Sequence, residues 1–169
     1  MIKKISAEIF VLKDGFENLI NDIDTDQIFH NKYLSIVDIK LMGQYALDNL
    51  DGYKDFAKKV KSGMVLVAGE NFGSGSSRQQ AVDCFISLGM QGVAAKSVGS
   101  IYKRNIINTG FPMIEITDID EKLLETGTKL EFDIETSEIF NNGKIAGHFK
   151  KFSTVQKDII EKNGLLNCL

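Results

Sequence analysis

Apolar residues along this chain come in short bursts separated by polar, glycine-containing turns. Glu8–Leu12 alternates apolar and polar positions and predicts a strand, and Asn21–Tyr33 is polar and turn-rich. Ile39–Leu50 carries Leu41, Tyr45, Leu47 and Leu50 at rough helical spacing, and Tyr53–Val60 has the pattern of another helix. The middle is clearer. Met64–Ala68 is a continuous apolar run of the kind a buried parallel strand shows. A helix is predicted from about Ser77 to Leu88, with Gly89 as its C′ residue. Gly92–Ala95 predicts a strand, Ser100–Asn108 a helix stopped by Gly110 and Pro112, and Met113–Ile116 a further strand. That order, β-α-β-α-β, implies a parallel sheet with right-handed crossovers. Ligands of such sheets bind beyond the C-terminal ends of the strands.

The last third changes character. Lys129–Ile134 and Glu138–Phe140 predict strands, Asn141–Gly143 is a turn signal, and Lys144–Phe149 can pair back. Ser153 and Gln156 form a capping box that opens a helix ending at Gly164. No repeat, low-complexity tract or long linker divides the chain, so residues 1–169 are expected to form one α/β domain: a parallel sheet with helices and extra antiparallel strands.

Composition narrows the function classes. With 43% hydrophobic and 25% charged residues, the chain has material for a full core. A net charge of −3 with scattered basic residues argues against nucleic acid. No apolar run reaches membrane-spanning length, and the N-terminal Met-Ile-Lys-Lys-Ile-Ser-Ala-Glu has no signal-peptide core, so a cytoplasmic protein is expected. Cys84 and Cys168 are the only cysteines, without disulfide or metal spacing. Cys84 sits among apolar helical positions and is expected to be an inert core thiol; Cys168 lies at a frayed end.

The chemistry concentrates in Gly69–Gln80, between a predicted strand and a predicted helix. Gly69, Gly73 and Gly75 allow close backbone approach to a ligand. Ser76, Ser77 and Arg78 fall at the expected helix start, where free N–H groups and the dipole favour an anion. Arg78 is unfavourable there unless something negative binds. A small carboxylate or phosphate is the first expectation. The bland alternative is a tight strand-to-helix connection with Ser77 as N-cap. No lysine follows Gly75 as a P-loop requires, and Arg78 stands where a dinucleotide fingerprint needs glycine. Ser76 is in no Gly-x-Ser-x-Gly elbow, and His30 and His148 are far apart, which weakens a serine hydrolase or a histidine metal site. Asp22, Asp24 and Asp26 lack the rest of an EF-hand and read as turn formers by composition. Lys103-Arg104-Asn105 on the later helix faces either the same cleft or solvent, and a structural role is favoured.

Taken together, Asp24-Thr25-Asp26, Tyr33-Leu34, the run from Gly69 to Arg78, and Ile101-Tyr102-Lys103-Arg104-Asn105 resemble the small subunit of 3-isopropylmalate dehydratase and the matching swivelling domain of aconitase. The resemblance covers about Asp22 to Ile116. It implies a three-layer β/β/α swivelling domain with a central parallel sheet and a smaller antiparallel one. It implies dehydration and rehydration of a small di- or tricarboxylic hydroxy acid, with Ser76 as general base and Arg78 clamping a substrate carboxylate. Gly75 and Ser77 then hold that carboxylate, while Asp24, Asp26 and Arg104 support the site. A 4Fe-4S cluster is implied on a separate large subunit, because two cysteines without cluster spacing cannot ligate it here. No metal is expected on this chain. The active site is expected at the subunit interface.

In that family the loop after Tyr-Leu reads the variable group of the substrate, and relatives that use an extra carboxylate often carry arginine there. Here Ser35, Ile36 and Val37 offer no cation and suit an apolar group, which favours isopropylmalate. A dimethylmalate, homoaconitate or aconitate type of hydro-lyase is the alternative. An anion-binding regulatory domain without a partner and a phosphate-binding enzyme are the remaining ones. Gln79-Gln80 stands where many relatives have Glu-His, so a charged pair is lost. The polar segment 21–37 is expected to lack partners until the large subunit docks.

Overall fold

The computed structural model describes residues 2–169; Met1, where the stretch without a signal-peptide core begins, lies outside the described residues. In chain order the strands are β1 (Lys4–Val11), β2 (Val65–Ala68), β3 (Gly92–Ala95), β4 (Met113–Ile119), β5 (Lys129–Asp133), β6 (Glu138–Asn141) and β7 (Lys144–Phe149). The helices are α1 (Thr25–Ile28), α2 (Ile39–Met42), α3 (Phe56–Lys59), α4 (Gln80–Ser87), α5 (Ser100–Thr109) and α6 (Thr154–Glu161).

The seven strands close in the order β1-β2-β3-β4-β7-β6-β5. Two strands make the closure by changing partner along their length. Lys4–Glu8 of β1 pairs antiparallel with β5, and Ile9–Val11 pairs parallel with β2. On the other side, Met113–Glu115 of β4 pairs parallel with β3, and Ile116–Ile119 pairs antiparallel with β7. The parallel and antiparallel strands, expected as separate sheets, are therefore halves of one closed sheet.

Two apolar cores follow from strand alternation. Phe10, Leu66, Val93 and Met113 face the helices and pack with Phe56, Phe85, Tyr102 and Ile106. Ile9, Val65, Val67, Ala94 and Ile114 face the other way and pack with Phe132, Ile139 and Phe149 from the antiparallel strands. Both faces of β2 are buried, which is why its sequence is uniformly apolar. Cys84 lies in the helix-side core, where burial pushes its thiol well above the ordinary value, consistent with an inert group.

Several expected elements are shorter than their apolar spacing suggests. Ile39–Leu50 is not one helix: α2 passes into a 3-10 turn at Gly43–Tyr45, and Leu47 adopts φ 57°. Tertiary bonds cause the break. Gly43 N–H donates to Ser87 Oγ at 3.0 Å, and Leu47 N–H donates to the Ile28 carbonyl at 2.8 Å. Likewise Tyr53 lies outside α3, its hydroxyl bonded to the Lys13 backbone. The end of α4 matches expectation: Gly89 at φ 71° and Met90 donate to Ile86 and Phe85 carbonyls in a Schellman arrangement. Cys168 belongs to a final 3-10 turn, Leu165–Cys168, rather than to a frayed end.

One acid interrupts the apolar run of β4. Glu115 is buried and bonded to Lys103 of α5 at 2.6 Å and to Lys150 at 2.8 Å, so Lys103 is structural as expected. Burial raises the Glu115 carboxyl, but the lysine hydrogen bonds outweigh it and hold it below the ordinary carboxylate value. A group lowered on folding adds stability above its unfolded pKa and loses that contribution as the pH falls through its folded value. Glu115→Gln is expected to cost about 1–3 kcal/mol at neutral pH and to flatten the acid limb of the stability curve. Urea midpoints between about pH 3 and 7 measure this; a limb as steep as wild type removes Glu115 as its source.

Candidate active site

The chain leaves β2 at Ala68 and runs irregularly to Gln79 before α4 begins. A second irregular segment, residues 20–26, holds it in place. Gly69 N–H donates to the Ile20 carbonyl at 3.0 Å, and Glu70 N–H donates to Asn21 Oδ1 at 2.8 Å. Asp22 N–H reaches the Glu70 carbonyl at 2.8 Å, Gly73 N–H the Ile23 carbonyl at 2.7 Å, and Thr25 N–H the Ser74 carbonyl at 2.8 Å. The buried Thr25 hydroxyl then donates to the Ser76 carbonyl at 2.8 Å. Residues 20–26 thus have partners within this chain, contrary to expectation, and Ile23, Ile28 and Phe29 are core residues.

The glycines serve this interlock more than a ligand. An added Cβ at Gly69 would overlap the Asn21 side chain, and one at Gly73 (φ 77°) would overlap the Tyr102 ring. At Gly75, φ 94°, a Cβ would make only ordinary contacts with Thr25 and Asp24, so its left-handed backbone rather than crowding calls for glycine.

Asp24 caps α1 in a capping box with Gln27, at 2.9 Å from the Gln27 N–H. Asp26, in the first turn, then faces the Gly-rich loop. Its Oδ1 accepts from Arg78 Nη1 at 3.2 Å and from Asn31 N–H at 2.8 Å. The Asn31 N–H, seconded by the Arg78 guanidinium, holds the Asp26 carboxyl below its ordinary value. Arg78 Nη1 also donates to the Phe29 carbonyl at 3.1 Å, and Nη2 donates to Ser76 Oγ at 3.1 Å. A guanidinium has five N–H groups. Among the described residues, Nε–H and one Nη2 N–H of Arg78 have no protein acceptor.

The helix start differs from expectation. Gln79 is the N-cap position and makes no side-chain cap bond, so Ser76, Ser77 and Arg78 precede the helix. Ser77 is not a cap: its Oγ accepts from Asn105 Nδ2 of α5 at 2.7 Å. Within this chain the charge on Arg78 is answered by Asp26. Asn105 therefore faces the loop, whereas Arg104 is exposed and makes no hydrogen bond to Ser76 among the described residues. No local pattern separates Asn105 from Arg104; only the helix phase does.

The two glutamines tie the neighbourhood together. Gln79 Nε2 donates to Asp83 at 3.1 Å and to the Thr109 hydroxyl at 2.8 Å. Gln80 Nε2 donates to the Leu34 carbonyl at 3.2 Å, which fixes the segment bearing Ser35 and Ile36 beside the start of α4. Tyr33 anchors that segment, its ring stacked on Tyr45 at 3.9 Å and its hydroxyl donating to Asp48 at 2.6 Å. Ser35 is exposed, Ile36 packs partly against the core, and Val37 is 86% exposed.

The result is an exposed serine beside a cation with two free donors, on an open surface. A groove of about 700 Å³ lies elsewhere, lined by Gly63 and Met64 before β2 with Lys4, Glu8 and Lys129. The loop is therefore one wall of a site and not a closed pocket. Gly73→Ala is expected to lose about 2–4 kcal/mol, because the left-handed backbone and the Tyr102 clash add. Gly143→Ala, also at positive φ but with open space, is expected to lose only about 1 kcal/mol. Equal losses in urea denaturation would show that Tyr102 packing does not limit the loop.

Comparison with known proteins places the chain in a family. The aconitase C-terminal domain family matches residues 7–118. A 3-isopropylmalate dehydratase small subunit from Archaeoglobus fulgidus is 40% identical over 147 residues, covering 86% of this chain and 89% of its own. An isopropylmalate/citramalate isomerase small subunit from Methanocaldococcus jannaschii is 38% identical over 148 residues, 86% of either chain. A crystal structure of 3-isopropylmalate dehydratase from Methanocaldococcus jannaschii aligns with a TM-score of 0.81 at 33% identity, covering 97% of this chain and 92% of that one.

Proposed function

The chain belongs to the aconitase C-terminal domain family, with the small subunits of 3-isopropylmalate dehydratase, and we propose that Ser76 and Arg78 are its catalytic contribution. It is a hydro-lyase subunit that works with a large subunit in interconverting 2-isopropylmalate and 3-isopropylmalate, a step of leucine biosynthesis. The observation that carries the residue assignment is Arg78, braced on Asp26 and Phe29 while donating to Ser76 Oγ.

Ser76 Oγ takes the proton from the carbon α to a substrate carboxylate. The Arg78 N–H aimed at Oγ favours the deprotonated oxygen; removal of water when a partner covers the loop opposes a bare charge but strengthens its pairing with the guanidinium. The free Nε–H and Nη2–H of Arg78 take the carboxylate in a bidentate pair. Ser77 accepts from Asn105 and so keeps its own O–H to donate to the same carboxylate. Backbone N–H groups after Gly75 add to the stabilisation of charge developing there. Asp24 and Asp26 position this set, and Arg104, exposed next to Asn105, supports it from α5. Loss of the hydroxyl from the neighbouring carbon completes the alkene, and isomerisation results when hydroxide adds to the carbon that Ser76 deprotonated while Ser76 gives its proton to the carbon that had carried the hydroxyl.

The proposed 4Fe-4S cluster, on the large subunit, supplies the Lewis acid for the leaving hydroxyl. This chain's residues do not fit it, with Cys84 buried in the core and Cys168 against the Asp158 and Gly164 carbonyls. The two cores support a three-layer β/β/α swivelling domain over residues 1–169. No helix among the described residues is long and apolar enough to cross a membrane, and a cytoplasmic location without nucleic acid partners fits the composition.

Ser35, Ile36 and Val37 suit an alkyl substituent, so 2-isopropylmalate is the proposed substrate. A smaller alkyl malate is the second reading, since one relative is named for both isopropylmalate and citramalate. An anaerobic assay with the cluster-loaded large subunit tests both, comparing 2-isopropylmalate, 2,3-dimethylmalate, citrate and homocitrate. Turnover only with both chains, fastest on isopropylmalate, is expected. Ser76→Ala is expected to lower kcat by about 10²–10⁴-fold with subunit association intact; near-normal turnover removes Ser76 as the base. Ser35→Arg is expected to move preference toward the tricarboxylic acids, and no gain on citrate or homocitrate counts against the loop assignment.

A further inference from the structure

Between the end of β1 and Ile20 the chain makes a tight excursion closed by a Lys13–Leu19 bridge. Its tip is strongly held. Asp14 Oδ1 accepts from Phe16 N–H at 2.8 Å and from Asn18 N–H at 3.0 Å. Asp14 N–H donates to the Asn18 carbonyl at 2.8 Å, Glu17 N–H donates to the Asp14 carbonyl at 3.2 Å, and Glu17 sits at φ 65°. Its base is pinned as well. Lys13 pairs with Glu125 at 2.7 Å, and the Tyr53 hydroxyl bonds both Lys13 N–H and Lys13 C=O. This braced turn presents Phe16 to solvent at 86% exposure.

A lone exposed apolar residue needs no explanation. Phe16 is not alone. It follows the C-terminal end of β1, the same end of the parallel strands that carries the Gly-rich loop after β2. Ile20, where the excursion returns, accepts from Gly69. Val37, 86% exposed, and Ile101, 52% exposed at the start of α5, lie in the connections after β1 and β3 at that end. Arg104, one turn after Ile101, has no acceptor among the described residues. Aromatic and arginine side chains around a desolvated centre are the composition of a protein interface. At the same end of the strands lies the Ser76–Arg78 wall, open to solvent.

We propose that the Phe16 turn is an anchor by which this chain docks onto the large subunit, inserting Phe16 into an apolar pocket beside the shared site. The inference rests on the subunit reading above. A braced turn loses little conformational freedom on docking, so its buried area converts to affinity with little entropic loss.

The test is the dissociation constant between this chain and the cluster-loaded large subunit, from anaerobic activity titrations and light scattering. Phe16→Ala is expected to raise Kd about tenfold or more, with kcat at saturating small subunit and the melting temperature unchanged. Phe16→Leu is expected to fall between them. Val155→Ala, 64% exposed on α6, is expected to leave Kd unchanged. A Phe16→Ala Kd within about twofold of wild type overturns the anchor while leaving the subunit reading standing. Self-association of the wild-type chain that Phe16→Ala abolishes, with Kd for the large subunit unchanged, assigns the turn to a second copy instead. No association of the wild-type chain with the large subunit overturns the subunit reading and the anchor with it.

Discussion

The candidate site depends on a hydrogen-bonded interlock between two segments that are neither helix nor strand. Residues 69–76 leave β2 and would have no backbone partners of their own. Residues 20–25 supply them on one side, from Ile20 on Gly69 to the Thr25 hydroxyl on the Ser76 carbonyl, and residues 96–99 on the other, around Phe72. Buried backbone groups must be paired, so the two segments order one another. The three residues of Asp24-Thr25-Asp26 then divide the work. Asp24 caps α1, Thr25 fixes the serine backbone, and Asp26 meets the arginine. A helix of only four residues is too short to persist on its own, and the capping box and the interlock hold it.

In the proposed reaction Arg78 converts this frame into chemistry. Its side chain is 12% exposed and its partner Asp26 43%, so the ion pair is partly solvated and worth about 1 kcal/mol or less. That is too weak to be a main source of stability, yet with the Phe29 carbonyl it is enough to orient a planar guanidinium. Orientation is what the proposed reaction needs: one N–H on the serine and two left for a carboxylate. Because the donors are set before substrate arrives, little reorganisation remains for the reaction itself.

The legible parts of the fold are those where local pattern and tertiary environment agree. Met64–Ala68, Gly92–Ala95 and Met113–Ile116 read as buried strands because each supplies alternate residues to two cores. The break in Ile39–Leu50 was hidden, since Leu47 and Leu50 point into the core from either a helix or a folded-back chain. The Gly-rich motif was visible, but its physics was not. Gly69 and Gly73 are required by Asn21 and Tyr102, about 50 and 30 residues away in sequence. Ser77 is locally a good cap, and only Asn105 of α5 reveals why it is otherwise engaged. Closure of the two sheets was equally illegible, because it rests on β1 and β4 each changing partner.

Gln79 and Gln80 bear on how the proposed site moves. A glutamate at position 79 would set a carboxylate against Asp83, which Gln79 instead meets with an amide donor. The neutral amides also direct donors to other elements. Gln79 reaches Thr109 on α5, and Gln80 reaches the Leu34 carbonyl. The proposed substrate loop is thereby tied to the helix that begins two residues after Arg78. An alkyl group pressing on Ile36 and a carboxylate held by Arg78 would then bear on one connected body, so distortion at either end is felt at the other. In this chain, selectivity for the alkyl group and positioning of the serine base are for that reason expected to be coupled rather than independent properties.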